Sequence, residues 1–193
     1  MVARAAAAEA TRRRILDAAV ELFGTRDPDE ISLEAIAVRA GVTLQTVLRR
    51  FGSKEQVFGA AAADRSVEIQ RARQPERAGD VPAAVRALVA SYETTLELSW
   101  RMLRLEAQHP ILHEILDGAR AAHRDWLSRT FAEVLPARGA ARARSLDALF
   151  AATDFYLWKL LRIDLGRSAV ESEACMRRLV EATVAQLRGE AAG

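Results

Sequence analysis

The stretch ISLEAIAVRAGVTLQTVLRRF, residues 31–51, decides the fold. Leu33, Ile36, Ala37 and Ala40 recur at three- and four-residue intervals and so share one face of a helix. Ser32 precedes that face, its hydroxyl suited to accept an orphan backbone N–H as N-cap. Gly41 follows the last periodic residue, where a helix ends in a left-handed conformation that costs glycine little. Thr43 caps a second helix, with Val47 and Phe51 one turn apart on its inner side. Two short helices joined by a glycine-containing turn form a helix-turn-helix, whose second helix can enter the DNA major groove. Helical hairpins that touch no nucleic acid share this spacing, so the flanking residues carry weight.

On the N-terminal side, TRRRILDAAVELF carries Ile15, Ala18, Ala19, Leu22 and Phe23 as an i, i+3, i+4, i+7 stripe. Asp27-Pro28-Asp29 is turn chemistry that ends this helix. On the C-terminal side, GSKEQVF holds Ser53 and Gln56 three apart, the spacing of a capping box, and opens a fourth helix expected to reach about Arg73. From Thr11 to about Phe58, these motifs in this order and at these separations resemble the TetR family of transcriptional regulators. The resemblance is close over the first third of the chain and rests on helix number and size beyond it.

The resemblance implies a DNA-reading head. Periodicity sets Leu44 on the stripe of Val47, Leu48 and Phe51, whereas the resemblance sets Leu44, Gln45 and Thr46 at the exposed start of the recognition helix. The second placement is adopted, because the first turn of such a helix projects beyond its core. Gln45 then suits adenine, and Leu44 or Thr46 a thymine methyl. Arg49 and Arg50 suit phosphate oxygens or a guanine edge, and Lys54 the DNA backbone at a helix N-terminus. The caps Ser32 and Thr43 complete the expected interface with Leu48, where the family usually has a phosphate-binding tyrosine. Arg50, where the family often has histidine, is a candidate compensation. Arg4 and Arg12 to Arg14 are either phosphate contacts or solvated charges.

Composition fits an all-α protein; the helical patterns and the resemblance imply a three-helix head and a larger helical bundle, about nine helices in total. The 193 residues hold 10 Gly, 5 Pro and 50% hydrophobic side chains, with no alternating β-branched run. No apolar segment approaches the ~18 residues of a membrane span, and the Ala-rich start does not read as a signal peptide. Cys175 is the single cysteine, which excludes an intrachain disulfide and points to a cytoplasmic setting. Net charge is only +2, and residues 1–51 set eight arginines against seven carboxylates, so any DNA reader must place its charge locally. The expected organisation is an arm or ragged helix extension at 1–9, a DNA-binding domain at 10–56, and a ligand-binding and dimerisation domain at 57–193.

In the larger part, residues 74–79 form a polar break, and Asp80-Val81-Pro82 starts a helix. A separate helical piece is expected over 100–108, then a long pattern over 111–135 after the His109-Pro110 boundary. One helix over about 141–165 and another opened by the Ser168–Glu171 capping box close the chain. Leu149, Thr153, Leu157 and Leu160 on the first, with Met176, Leu179, Val180, Thr183 and Leu187 on the second, form stripes. By resemblance these are the dimer interface; the plain alternative is monomer core. Trp100, Leu103, His109, Trp126, Phe131, Phe155 and Tyr156 are candidates to line an effector pocket, with His109, His123 and the Tyr156 hydroxyl as polar groups; singly, each reads as core.

Glu106, His109 and His113 have helical spacing, but Pro110 interrupts them and no metal is expected. Phosphate-loop, Gly-x-Ser-x-Gly and His-Glu-x-x-His motifs are absent, so no catalytic residue or cofactor is assigned. The expected function is a ligand-responsive, homodimeric TetR-like regulator, acting as a repressor released from a palindromic operator by a small molecule. The alternatives are a helical protein-interaction module with a vestigial head and, less supported, a small helical enzyme.

Overall fold

The computed structural model describes the chain from Val2 to Arg73 and from Gly79 to Ala192, with side chains from Arg4 to Arg73 and Gly79 to Glu190. Apart from Gly79, the expected polar break at 74–79 lies outside the described residues. All regular structure among the described residues is helical. The helices are α1 (Val2–Thr25), α2 (Leu33–Ala40), α3 (Leu44–Phe51), α4 (Lys54–Ala72), α5 (Val81–Leu105), α6 (Pro110–Thr130), α7 (Gly139–Thr153), α8 (Phe155–Lys159) and α9 (Ala169–Ala192). A single 3-10 turn, Pro28–Glu30, separates α1 from α2, and α8 runs into a π-helical turn, Leu160–Asp164. Residues 4–9, expected as an arm or extension, continue α1.

Three boundaries differ from the periodicity. The piece expected over 100–108 is the end of α5, which is unbroken through Leu105. The pattern expected through Leu135 loses helical geometry at Thr130, although Phe131 and Leu135 stay buried beyond the helix end. The helix expected over 141–165 breaks at Asp154, whose ψ of 151° is extended and whose carboxylate accepts the Tyr156 N–H at 2.8 Å. An aspartate can draw the backbone into a cap instead of a helix interior, and the apolar stripe continues in phase on both sides. Periodicity alone therefore passes over the break.

The chain divides into two compact units. The first holds the residues up to Val67 together with Glu97–Asp117; the second holds Glu68–Leu96 and the residues from Gly118 onward. The division falls inside α4, α5 and α6. The first unit is packed around Ile15, Ala19, Ile31, Ile36, Val47 and Val57, with Leu112 added from α6. Leu98, Met102, Leu105, Ile111 and Ile115 lie against this core, which explains why the end of α5 and the start of α6 belong with the head. The second unit buries Leu88, Trp126, Leu127, Leu149, Trp158 and Met176 completely or nearly so.

Candidate nucleic-acid interface

Each end of the two central helices is closed by the residue chemistry expected of it. Ser32 Oγ accepts the Ala35 N–H at 3.1 Å and starts α2. Gly41 ends it at φ 64°, and the Val42 N–H reaches back to the Ala37 carbonyl at 3.0 Å. Thr43 then caps α3, its Oγ1 accepting the Thr46 N–H at 3.3 Å and lying 3.0 Å from the Thr46 hydroxyl. Gly52 ends α3 at φ 78°, a value that strains any side chain. Only half of the expected capping box at α4 is formed: Ser53 Oγ accepts the Gln56 N–H at 3.2 Å, while the Ser53 N–H goes to the Phe51 carbonyl.

This framework turns one face of α3 outward. Val47 is fully buried, Phe51 and Leu44 are partly buried against the core, and Gln45, Leu48, Arg49 and Arg50 are exposed. Thr46 is half-buried. Leu48 is therefore off the inner stripe where periodicity placed it, and Leu44 is only partly on it. The outward face carries two guanidiniums, one amide and one apolar side chain, a set able to contact phosphates and base edges.

Lys54, a candidate contact to the DNA backbone, and Arg12, left as either a phosphate contact or a solvated charge, both have partners inside the protein. Lys54 is half-buried and donates from Nζ to the Pro28 carbonyl at 2.8 Å, tying the start of α4 to the 3-10 turn. Arg12 pairs with Asp64 through Nη1 to Oδ2 at 2.6 Å and Nη2 to Oδ1 at 2.8 Å, and reaches Glu9 at 3.3 Å. The Arg12 hydrogen bonds hold the Asp64 carboxyl below its usual range. Arg39 on α2 donates from Nε to Glu21 on α1 at 2.6 Å. The head thus consumes several of its charges in binding its own helices together.

The candidate pocket residues have different surroundings. Trp100, Leu103 and His109 belong to the first unit, and Trp126, Phe131, Phe155 and Tyr156 to the second. His109 is buried beside Asp27 and Asp29, so it serves the head and not the second unit. Phe131 is core, and Phe155 packs edge-on against Tyr92. Tyr156 is exposed and lines an open depression of about 580 Å³ with Arg120, Arg124, Phe150 and Asp154. Burial raises the Asp154 carboxyl above its usual range, against the pull of its backbone hydrogen bonds.

A buried polar centre converges on Thr153. Tyr92 donates from its hydroxyl to the Thr153 carbonyl at 2.8 Å, and burial drives that phenol's acidity down. The Thr153 hydroxyl lies 2.7 Å from the Leu149 carbonyl, to which it donates, and 3.0 Å from His123 Nε2. A hydroxyl has one proton, so Nε2 must carry the histidine proton and donate to Thr153. Burial lowers the His123 pKa to about 3, keeping the ring neutral, and its Nδ1 has no hydrogen-bond partner. Trp126 stacks on that ring and donates from Nε1 to the Arg73 carbonyl at 3.1 Å. Arg73 lies over the Tyr92 ring at 4.9 Å and donates from Nε to Ser91 at 3.1 Å. The sequence marks His123 and Trp126 as pocket candidates and Thr153 as a stripe residue, and only tertiary packing brings them together with Arg73 and Tyr92.

The residues expected at a dimer interface also separate. Leu149, Thr153, Met176, Val180 and Leu187 are buried within their own unit and are core, because the stripes of α7 and α9 face each other. Leu157 and Thr183 are half-buried. Leu160 and Leu179 remain 45% and 43% exposed, and Tyr156 on α8, Ile163 and Leu165 at the π-helical turn and Val170 on α9 add exposed apolar surface.

Residues 15–61 match the family model described as bacterial regulatory proteins, tetR family. The HTH-type transcriptional regulator SrpR of Pseudomonas putida is 41% identical over 66 residues, covering 34% of this chain and 31% of that protein. The HTH-type transcriptional repressor Rv3405c of Mycobacterium tuberculosis is 30% identical over 115 residues, 55% of this chain and 57% of that one. The matched segments thus span from about a third to just over half of those relatives' lengths. Among solved structures, a tetR-family transcriptional regulator from Streptomyces coelicolor superposes with a TM-score of 0.67 at 18% identity, covering 94% of this chain and 89% of its own. The SmeT–triclosan complex superposes at 0.65 with 23% identity, covering 92% and 91%. These two likenesses are in fold.

Proposed function

We propose that this chain, whose residues 15–61 belong to the tetR family of bacterial regulatory proteins, is a cytoplasmic transcriptional repressor. It binds a two-fold symmetric operator as a homodimer and is released by a small molecule held in its second unit. The observation that carries this reading is the outward face of α3, where Gln45, Arg49 and Arg50 stand exposed on a helix whose opposite side, at Val47, is locked into the core. A rigid helix with an exposed polar face is what major-groove reading requires. Support for repression is the named activity of the Mycobacterium tuberculosis relative.

The exposed apolar residues Leu160, Leu179, Ile163 and Leu165 favour a second copy as the covering partner. For the effector, the SmeT complex supplies an analogy of class only: a small, largely apolar ligand. The polar centre around His123 and Thr153 and the depression beside Tyr156 are where such a ligand would act. Release follows if the effector binds the form that misfits the operator more tightly, and a typical coupling weakens operator binding about 5- to 150-fold. No helix among the described residues is long and apolar enough to cross a membrane.

The test is a mobility shift with DNA from upstream of the chain's own coding sequence against an unrelated duplex of equal length. A discrete complex that survives excess unrelated competitor is expected. Equal retention of both duplexes would overturn the reading and favour a protein-interaction module with an idle head.

A further inference from the structure

We propose that Asp27, Asp29 and His109 form a binding site for a divalent first-row transition-metal ion, with Zn2+ or Mn2+ chemistry, inside the unit that carries the head. The His109 side chain is buried, the residue being 7% exposed, yet its Nε2 has no hydrogen-bond partner. Asp27 Oδ1 lies 3.3 Å from that nitrogen without hydrogen-bonding geometry, and Asp29 Oδ1 lies 3.5 Å from Nδ1. One ligand atom from each of the three residues falls within 4.8 Å of the other two. Atoms bound to one tetrahedral ion at about 2.0–2.2 Å are about 3.3–3.6 Å apart. Asp27 Oδ1 and Nε2, 3.3 Å apart, already fit, and the longer separations, within 4.8 Å, close by about 1 Å through rotation of the solvated Asp29 side chain.

Two of the three donors, Asp27 and His109, are held in place before any ion arrives. Asp27 caps the 3-10 turn by accepting the Asp29 N–H at 3.2 Å, which holds the Asp27 carboxylate and sets the Asp29 backbone on the same short turn. His109 immediately precedes α6, and its carbonyl accepts the Leu112 N–H at 3.0 Å, which anchors its backbone. Two carboxylates neutralise a dication, and the imidazole nitrogen selects a borderline metal over Mg2+ or Ca2+, which take oxygen shells. Asp29 is 82% exposed in its side chain, leaving an entry path and room for water in the remaining positions. An ion here ties the turn between α1 and α2 to the start of α6. Lys54 already holds that turn from its other side, so metal occupancy would fix the segment from which the helix-turn-helix departs.

A second cluster, Glu106, His113 and Asp117, serves as a built-in control. His113 and Asp117 lie exposed on α6, Glu106 is half-buried just beyond α5, and each nitrogen of His113 lies 3.2 Å from a carboxylate oxygen. The full chain, stripped with a chelator, is titrated by calorimetry with Zn2+ and separately with Mn2+. No DNA is present, so the outcome is independent of the DNA-binding reading. At least one of these ions should bind at one per chain and raise the unfolding temperature, with Mg2+ doing neither. Affinity should fall by about tenfold or more in Asp27→Asn and Asp29→Asn, at least the loss typical of an outer-shell partner. Asp29→Asn is the safer variant, since its side chain is largely solvated; circular dichroism verifies its fold, and His113→Ala should bind as the parent does. The proposal is overturned if neither ion binds at millimolar concentration, if Asp29→Asn binds as tightly as the parent, or if His113→Ala alone abolishes binding.

Discussion

Arg12 and Asp64 form a two-pronged ion pair that joins α1 to α4 across 52 residues of sequence, at 2.6 and 2.8 Å. Each side chain keeps about a third of its surface in water, 31% and 33%, so screening limits its worth. Arg12→Ala should cost about 1 kcal/mol of stability at most, the upper end for exposed pairs. Because this guanidinium is committed to the protein, the same variant should leave the salt dependence of DNA binding unchanged. Asp64 is depressed in the folded state, so its contribution is present above its unfolded pKa and lost as pH falls through the folded one. Denaturant titrations of Arg12→Ala and Asp64→Asn at neutral and acidic pH check both statements.

Arg49 and Arg50 face solvent beyond the core of the head. Arg50→Ala and Arg49→Ala should weaken binding alike on all sequences and reduce the slope of log affinity against log salt by about one each. Gln45→Ala should instead relax base preference at one position, by about 1–3 kcal/mol. Anisotropy titrations over a salt series separate the two effects. Lys54→Ala should lower thermal stability as well as affinity, since it removes the bond to Pro28.

His123 gives the second unit a pH dependence with a definite sign. Its folded pKa is lowered to about 3 from 6.5, so below pH 6.5 the unfolded chain takes a proton that the folded chain refuses. Stability should therefore fall as pH drops from 6.5 towards 3, by up to about 1.4 kcal/mol per pH unit from this group. Asp154, raised by burial, opposes this near the acid end. Unfolding of the parent and of His123→Gln, measured between pH 7 and 5, should show the slope in the parent and not in the variant.

Leu160 and Val180 have opposite expected outcomes although both lie on apolar stripes. Val180 is 0% exposed, and a buried unpaired carboxylate is severely costly, so Val180→Asp should unfold the chain. Leu160 is 45% exposed in the single chain, so Leu160→Glu should leave it folded and convert a dimer to monomers. Light scattering with circular dichroism distinguishes these results. A parent that is already monomeric at micromolar concentration would remove the dimer from the account.

The head is legible in the sequence because its information is local. Ser32, Gly41, Thr43 and Gly52 each act within four residues of themselves, and so does the Ser168–Glu171 box, which forms with contacts of 2.8 and 3.2 Å. The Arg12–Asp64 pair is not legible, since nothing local marks two charges 52 residues apart as neighbours. His109 hides for the same reason: its helical spacing points to Glu106 and His113, while the fold sets it beside Asp27 and Asp29. Periodicity finds the stripe that holds both Leu179 and Val180, but it cannot say which side chain meets its own core and which stays outside. Asp154 breaks a helix without disturbing the apolar phase, so only backbone geometry reveals the break.

The central claim is that α3 reads DNA sequence from a symmetric pair of heads. Selection from a randomised duplex library, followed by affinity measurement on the enriched site, tests it most directly. An inverted repeat with half-site centres about 34–36 Å apart, or a multiple of that, is expected. Affinity at least about a thousandfold above that for scrambled DNA is also expected, with a relaxed motif in Gln45→Ala. A library that emerges unenriched, or the same motif recovered with Gln45→Ala, would contradict it.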